Sequence, residues 1–227
     1  MPCARSTKKY RQIAATPQEQ GSGCLSGFVL PPLAVILFSA VFAFFALKQP
    51  ATSQLDLPPA APTNISPIFR IEIHYWADSI SKWAAASQLD PNLVATIMQI
   101  ESCGDPRAKS SAGAMGLFQV MPFHFYATDD PYNPNINAAR GLAYLAKSLE
   151  TAGGNARLAL AGYNGGIGLI ARAEWTWPAQ TKRYVKYGTP IYEDALSGLD
   201  SSDALNDWYE KYGVSLCQQA HQRLGLP

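Results

Sequence analysis

From Phe28 to Leu47 the chain runs for 20 residues (FVLPPLAVILFSAVFAFFAL) without a single charge. That is long enough to cross a hydrocarbon core about 30 Å thick at ~1.5 Å per residue, so the segment is expected to partition the chain. Arg5, Lys8, Lys9 and Arg11 precede it against Glu19 alone, and only Lys48 follows closely. The positive-inside bias then puts residues 1–27 in the cytoplasm and the rest of the chain outside, in the periplasm or cell wall, with residues 28–47 as a single-pass anchor. A cleavable signal peptide is the competing reading, because Pro31 and Pro32 shorten the apolar helix. No clean small-x-small cleavage site follows it, however. Cys24 lies before the apolar run, which excludes a lipoprotein signal. Net charge is +1 and no basic cluster is present, so nucleic acid is not an expected partner.

Residues 48–66 hold four prolines with little apolar patterning and are expected to form a semi-extended linker. Beyond it, residues 67–195 and a C-terminal extension, 196–227, leave enough chain for one good core. The patterning there is helical. Ser66-Pro67 opens a segment with Ile73, Trp76, Ile80 and Trp83 at helical spacing. Asp90-Pro91 opens a second that stops at Gly104 and Pro106, and Asn137 to Thr151 forms a third. Asn155 opens a fourth, closed by Gly165-Gly166, and stretches from Pro178 and from Ser202 complete the set. Strand signals are scarce, so the fold class expected is mainly α.

On a helical wheel begun at Asn92, the polar residues Asn92, Thr96 and Gln99 form one stripe. Glu101 falls opposite them, beside Val94, Ile97 and Met98. Burial on that side would disfavour the ionised carboxylate and raise its pKa from about 4.3 toward about 6 or above, as a general acid at neutral pH requires. A carboxylate that swings to solvent from a frayed last turn is the alternative.

The stretch from Ala95 to Pro122, ATIMQIESCGDPRAKSSAGAMGLFQVMP, resembles the catalytic core of the soluble lytic transglycosylase (SLT) family. Three signatures match in order: Glu101-Ser102, Gly116-Leu117-Phe118-Gln119, and Gly162-Tyr163-Asn164. The likeness runs through NPNINAARGLAYL and covers roughly residues 68–190. It implies a lysozyme-like helical domain that cuts the β-1,4 bond between N-acetylmuramic acid and N-acetylglucosamine, leaving 1,6-anhydromuramyl ends. Peptidoglycan glycan strands are then the partner, and no cofactor is implied.

By the same resemblance Glu101 is the catalytic acid and then base. Ser110 would hydrogen-bond an acetamido or lactyl group, Gln119 would bind sugar, and Met121 would form an apolar wall. Tyr163 would aim its hydroxyl at Glu101 or the acetamido group, with Asn164 fixing the turn. One position departs from the pattern: Gln180, in Pro178-Ala179-Gln180-Thr181, stands where the family often has Glu. It keeps hydrogen bonding but carries no charge, leaving a sugar-orienting role. Trp175 and Trp177 are candidates for stacking on sugar rings, with core packing the alternative.

Cys103 and Cys217 are the only cysteines expected outside the cytoplasm, where a disulfide between them would staple the C-terminal helix beside Glu101. Two free buried thiols are the alternative. His74, His124 and His221 lack ligand spacing, so no metal is expected. Two further functional readings stand beside the lyase: a hydrolytic muramidase on the same fold, and a non-catalytic wall-binding module.

Overall fold

The computed structural model describes residues 65–227, and there the chain is mainly helical. The expected cytoplasmic segment, the anchor at 28–47 and residues 48–64 of the linker lie outside the described residues. No helix among the described residues is long and apolar enough to cross a membrane. The linker boundary needs correction: Ile65 and Ser66 are already buried in the domain, and the Ser66 amide donates to Asn92 Oδ1 at 2.7 Å.

The first expected helix is two. α1 (Ile71–His74) and α2 (Ala77–Ser87) are separated at Tyr75 and Trp76. The break turns the Trp76 indole toward the end of the next helix, where its Nε1 donates to Gly104 O at 2.9 Å. α3 (Pro91–Ser102) starts as Asp90-Pro91 dictates, the Asp90 carboxylate accepting from the Asn92 and Leu93 amides.

α3 is the axis of the domain. Its apolar side is buried, and so is its polar stripe, whose side chains bond to the helix itself or to other parts of the chain. Thr96 Oγ1 donates to Asn92 O at 2.7 Å, and Gln99 Oε1 accepts from the Arg70 amide at 3.3 Å. Each buried polar group thus replaces its lost water with a specific partner, which is the condition for placing it there.

α4 (Pro134–Thr151) begins earlier than its apolar periodicity implies, because Asn133-Pro134 repeats the cap-and-proline device of α3. α5 (Ala156–Gly165) lies against α4 and α6 (Ala179–Leu196), and α6 in turn lies on α3. The last stretch is two helices, α7 (Asp203–Trp208) and α8 (Val214–Leu224), joined by a π turn over Tyr209–Gly213.

Three links tie α8 to the rest of the domain. Cys217 forms a disulfide with Cys103, their Cα atoms 5.0 Å apart. Arg223 Nη1 reaches both oxygens of Asp105, at 3.1 and 2.9 Å, and His221 Nδ1 lies 3.0 Å from Glu72 Oε1. Asp105 is wholly buried, so it is more than the turn residue its place after a helix suggests. Arg223 supplies the countercharge without which burying that carboxylate would be costly. The disulfide closes a loop with a sequence separation of 114. Cys217→Ala is therefore expected to lower unfolding stability by about 2–5 kcal/mol in denaturant titration under non-reducing conditions. Reductant should reproduce that loss in the unmodified chain and add nothing in the variant.

Candidate active site

α3 ends at Ser102 because Cys103 takes a left-handed conformation (φ 50°), and the chain then enters the long irregular segment 103–133 before α4. A loop of that length inside a compact domain requires fixed points. Three side chains supply them where the loop passes under α3. Ser102 Oγ donates to Leu117 O at 2.7 Å. Asn137 Oδ1 accepts from the Phe118 amide at 2.9 Å, while its Nδ2 donates to Met115 O and Pro131 O at 2.8 and 2.9 Å. Tyr163 Oη donates to Phe118 O at 2.7 Å.

Gly116 passes so close to Asn137 that a Cβ there would meet Nδ2 at 2.3 Å, and its φ of 75° also favours glycine. Leu117 and Phe118 are wholly buried as a result. The next residue, Gln119, is held at φ 46°, a left-handed conformation costing of order 1 kcal/mol outside glycine. Its Nε2 donates to Gly116 O at 3.0 Å, and Val120 N to Met115 O at 2.9 Å.

The fixed loop and α3 enclose a groove with two arms that meet at Glu101, Asn164 and Gln180. The first arm, about 200 Å³, is lined by all of Ser110, Gln119, Met121, Tyr163, Asn164 and Gln180. Ser110 Oγ accepts from the Ala114 amide at 3.0 Å, which leaves its hydroxyl proton to donate into the groove. Asn164 Oδ1 accepts from Thr181 Oγ1 at 3.0 Å, joining α5 to the first turn of α6 and leaving the amide N–H groups uncommitted.

The Tyr163 hydroxyl donates to the Phe118 carbonyl rather than to Glu101 and so fastens the loop, while the residue also lines the groove. Neither tryptophan lines the groove. Trp177 is buried, its Nε1 donating to Leu169 O at 3.1 Å, and Trp175 stands exposed elsewhere.

His124 and Tyr144 also line the first arm, with ring centroids 4.7 Å apart. They had no motif to mark them; the signal available was only that Tyr144 lies on α4 one turn past Gly141, the position facing Phe118 and Tyr163. Among the described residues, Glu101 is the only carboxylate lining either arm, and no cluster of three His, Cys, Asp or Glu could hold a metal ion.

The Glu101 side chain is half-buried and faces this groove. Burial pushes its pKa from 4.5 up to about 7, against a smaller lowering by the nearby Tyr184 hydroxyl. That hydroxyl is itself buried and has no partner at ordinary hydrogen-bond distance, so its hold on the carboxylate is weak. Tyr163 and Tyr184 are both pushed well above the usual phenol value, by burial first and by the Glu101 charge second. They stay protonated wherever Glu101 titrates.

Because the folded-state value of Glu101 exceeds its unfolded one, the folded protein holds the extra proton between about pH 4.5 and pH 7 and loses stability as pH rises through that window. Glu101→Gln removes the ionisation. It should raise unfolding stability by about 1–3 kcal/mol at pH 8 and change it little at pH 4, measured by denaturant titration at both pH values.

The transglycosylase SLT domain profile matches residues 78–185. A protein named transglycosylase from Enterobacteria phage PRD1 is 38% identical over 111 residues, 48% of this chain and 40% of the phage protein. Membrane-bound lytic murein transglycosylase E of Buchnera aphidicola subsp. Acyrthosiphon pisum is 40% identical over 47 residues, covering 21% of each chain. Endo-type membrane-bound lytic murein transglycosylase A of Klebsiella pneumoniae subsp. pneumoniae is 33% identical over 84 residues, 31% of this chain and 41% of the relative. The chain thus spans less than half the length of each of these relatives. The matched region contains Glu101, the loop clamped beneath it and the residues of the first arm, so the likeness to the transglycosylase SLT domain covers the whole of that arm.

Proposed function

We propose that the chain is a peptidoglycan lytic transglycosylase acting on the MurNAc-β-1,4-GlcNAc bond on a lysozyme-like fold. The observation that carries this reading is a single half-buried carboxyl of raised pKa in a groove that no second carboxylate lines among the described residues. A glycosidase that hydrolyses with two carboxylates needs the second one as base or nucleophile. An anhydro-forming reaction does not. Protonated Glu101 gives its proton to the glycosidic oxygen as the bond from C1 breaks, and an oxocarbenium-like muramyl centre forms. The Glu101 carboxylate then takes the proton from the C6 hydroxyl as O6 bonds to C1. The 1,6-anhydro ring closes, Glu101 is again protonated, and no water is consumed.

The first arm would hold the sugar during both steps. Ser110 and Asn164 donate, the Gln119 carbonyl accepts, and Gln180 orients the acetamido or lactyl group without adding charge. Met121, with His124 and Tyr144, forms the apolar wall. The proposed organisation is a cytoplasmic segment 1–27, an anchor at 28–47, a linker, the catalytic domain and the C-terminal extension outside the cell membrane. The membrane-bound descriptions of two relatives support an attachment of this kind.

Glu101→Gln in the full chain should cut release of muropeptides from purified sacculi by more than about 10²-fold while the melting transition persists. Products of the unmodified chain should weigh one water less than hydrolysed ends; products at the hydrolysed mass would favour a muramidase. On a soluble glycan, kcat/KM should fall about tenfold per pH unit above an inflection at about 7, where free Glu101 loses its proton.

A further inference from the structure

The second arm of the groove, also about 200 Å³, leaves Glu101 on the side away from Ser110 and Gln119. It differs from the first in origin and in chemistry. Trp208 and Tyr212, two of its walls, come from the C-terminal extension and fall beyond the matched domain at 78–185. Tyr187 and Arg183 come from α6. The Tyr187 and Tyr212 rings meet edge to face at 5.6 Å, and the Arg183 guanidinium sits 5.3 Å from the centroid of Tyr212. Among the described residues no carboxylate pairs with Arg183. Lys186 Nζ lies over the Tyr187 ring at 5.3 Å but does not line the arm, and Asp207, paired with Lys211, stands beside Tyr187, so Arg183 is the cation that the arm presents.

The extension is fixed firmly enough to serve as a wall. The disulfide at Cys217 and the Arg223–Asp105 pair anchor α8, and Trp208 is packed against Gly213, where a Cβ would meet its ring at 2.7 Å. An aromatic-walled channel with a guanidinium held at its rim suits a ligand that joins an apolar face to an anion. A glycan strand lying across Glu101 must occupy both arms, and the anions it carries are the carboxylates of the peptides attached to its muramyl residues.

We propose that this second arm is a subsite for the peptide-substituted muramyl residue, with Arg183 pairing with a stem-peptide carboxylate and Tyr187 and Tyr212 covering the adjoining apolar surface. The proposal rests on the glycan-cleaving reading of the groove and makes the C-terminal extension the part of the chain that distinguishes peptide-bearing from bare strands.

Binding is measured by calorimetry on the full chain carrying Glu101→Gln, so that no ligand is consumed. The probes are a muramyl tetrasaccharide with tetrapeptide stems, the same sugar with stems removed and its lactyl carboxyls capped as amides, and the stem-bearing sugar with its carboxylates amidated. The stem-bearing sugar is expected to bind at least about fivefold tighter than the bare one, and the amidated form to match the bare one. Arg183→Gln and, separately, Tyr212→Ala should collapse the ratio toward one; both side chains are exposed at a rim. Equal affinity for stem-bearing and bare sugar overturns the proposal, as does a preference that survives both substitutions or an equal loss on both sugars. If no sugar binds and the unmodified chain releases no anhydro products, the glycan-cleaving reading itself fails and takes this proposal with it. Equal binding with anhydro products released fells the proposal alone.

Discussion

The backbone of Leu117 and Phe118 is held by hydrogen bonds from three elements that are distant in sequence, and the groove exists because of that hold. Ser102 comes from the end of α3, Asn137 from the first turns of α4 and Tyr163 from the end of α5. Remove the clamp and two buried apolar side chains lose their seat, and with them goes the left-handed turn that presents Gln119. The Ser of the Glu-Ser pair and the Tyr of the Tyr-Asn pair therefore both act on the loop. The glycines of the motifs have the same origin. Gly116 yields to Asn137, and Gly141 yields to Phe118, whose Cβ would lie 2.7 Å from an added one.

The enclosure of α3 follows from the same economy of buried polar groups. Its polar stripe is not a solvent face: Asn92 and Gln99 each receive a backbone amide from the segment that leads into the domain, and Gln99 Nε2 also reaches Cys103 Sγ at 3.1 Å. A helix satisfied on both sides can be central, and its last turn can then be placed where the core opens onto the groove. That is where Glu101 stands. The C-terminal extension completes the arrangement by pairing with Asp105 and Cys103 just beyond it, so that the Glu101 end of α3 is braced.

Local rules carried far in this chain and stopped at identifiable points. Asp90-Pro91 and Asn155 announced helix starts that periodicity alone would blur, since a capping side chain and a first-turn proline act within four residues. Asn133-Pro134 used the same device, and reading periodicity first placed that helix too late. The break at Tyr75 and Trp76 was invisible locally, because it is imposed by a bond to Gly104 far along the chain. The wheel singled out Glu101 correctly as the exceptional carboxylate but could not tell a buried polar stripe from a wet one. Asn137 and Tyr144 lie in a stretch the likeness covers but their roles, like those of His124 and of Arg183, Tyr187, Trp208 and Tyr212 in the second arm, arise from tertiary neighbours that local sequence does not reveal.

Everything proposed for the chemistry depends on one group being a proton donor near neutrality. The most direct test is a ¹³C NMR titration of the Glu101 side-chain carboxyl in the full chain, assigned by its loss in Glu101→Gln. A midpoint at about 7 is the result expected from its enclosure beside Tyr163 and Tyr184. A midpoint near the ordinary glutamate value of about 4.3 would mean that the carboxyl is solvated and ionised throughout the neutral range, and would contradict the account.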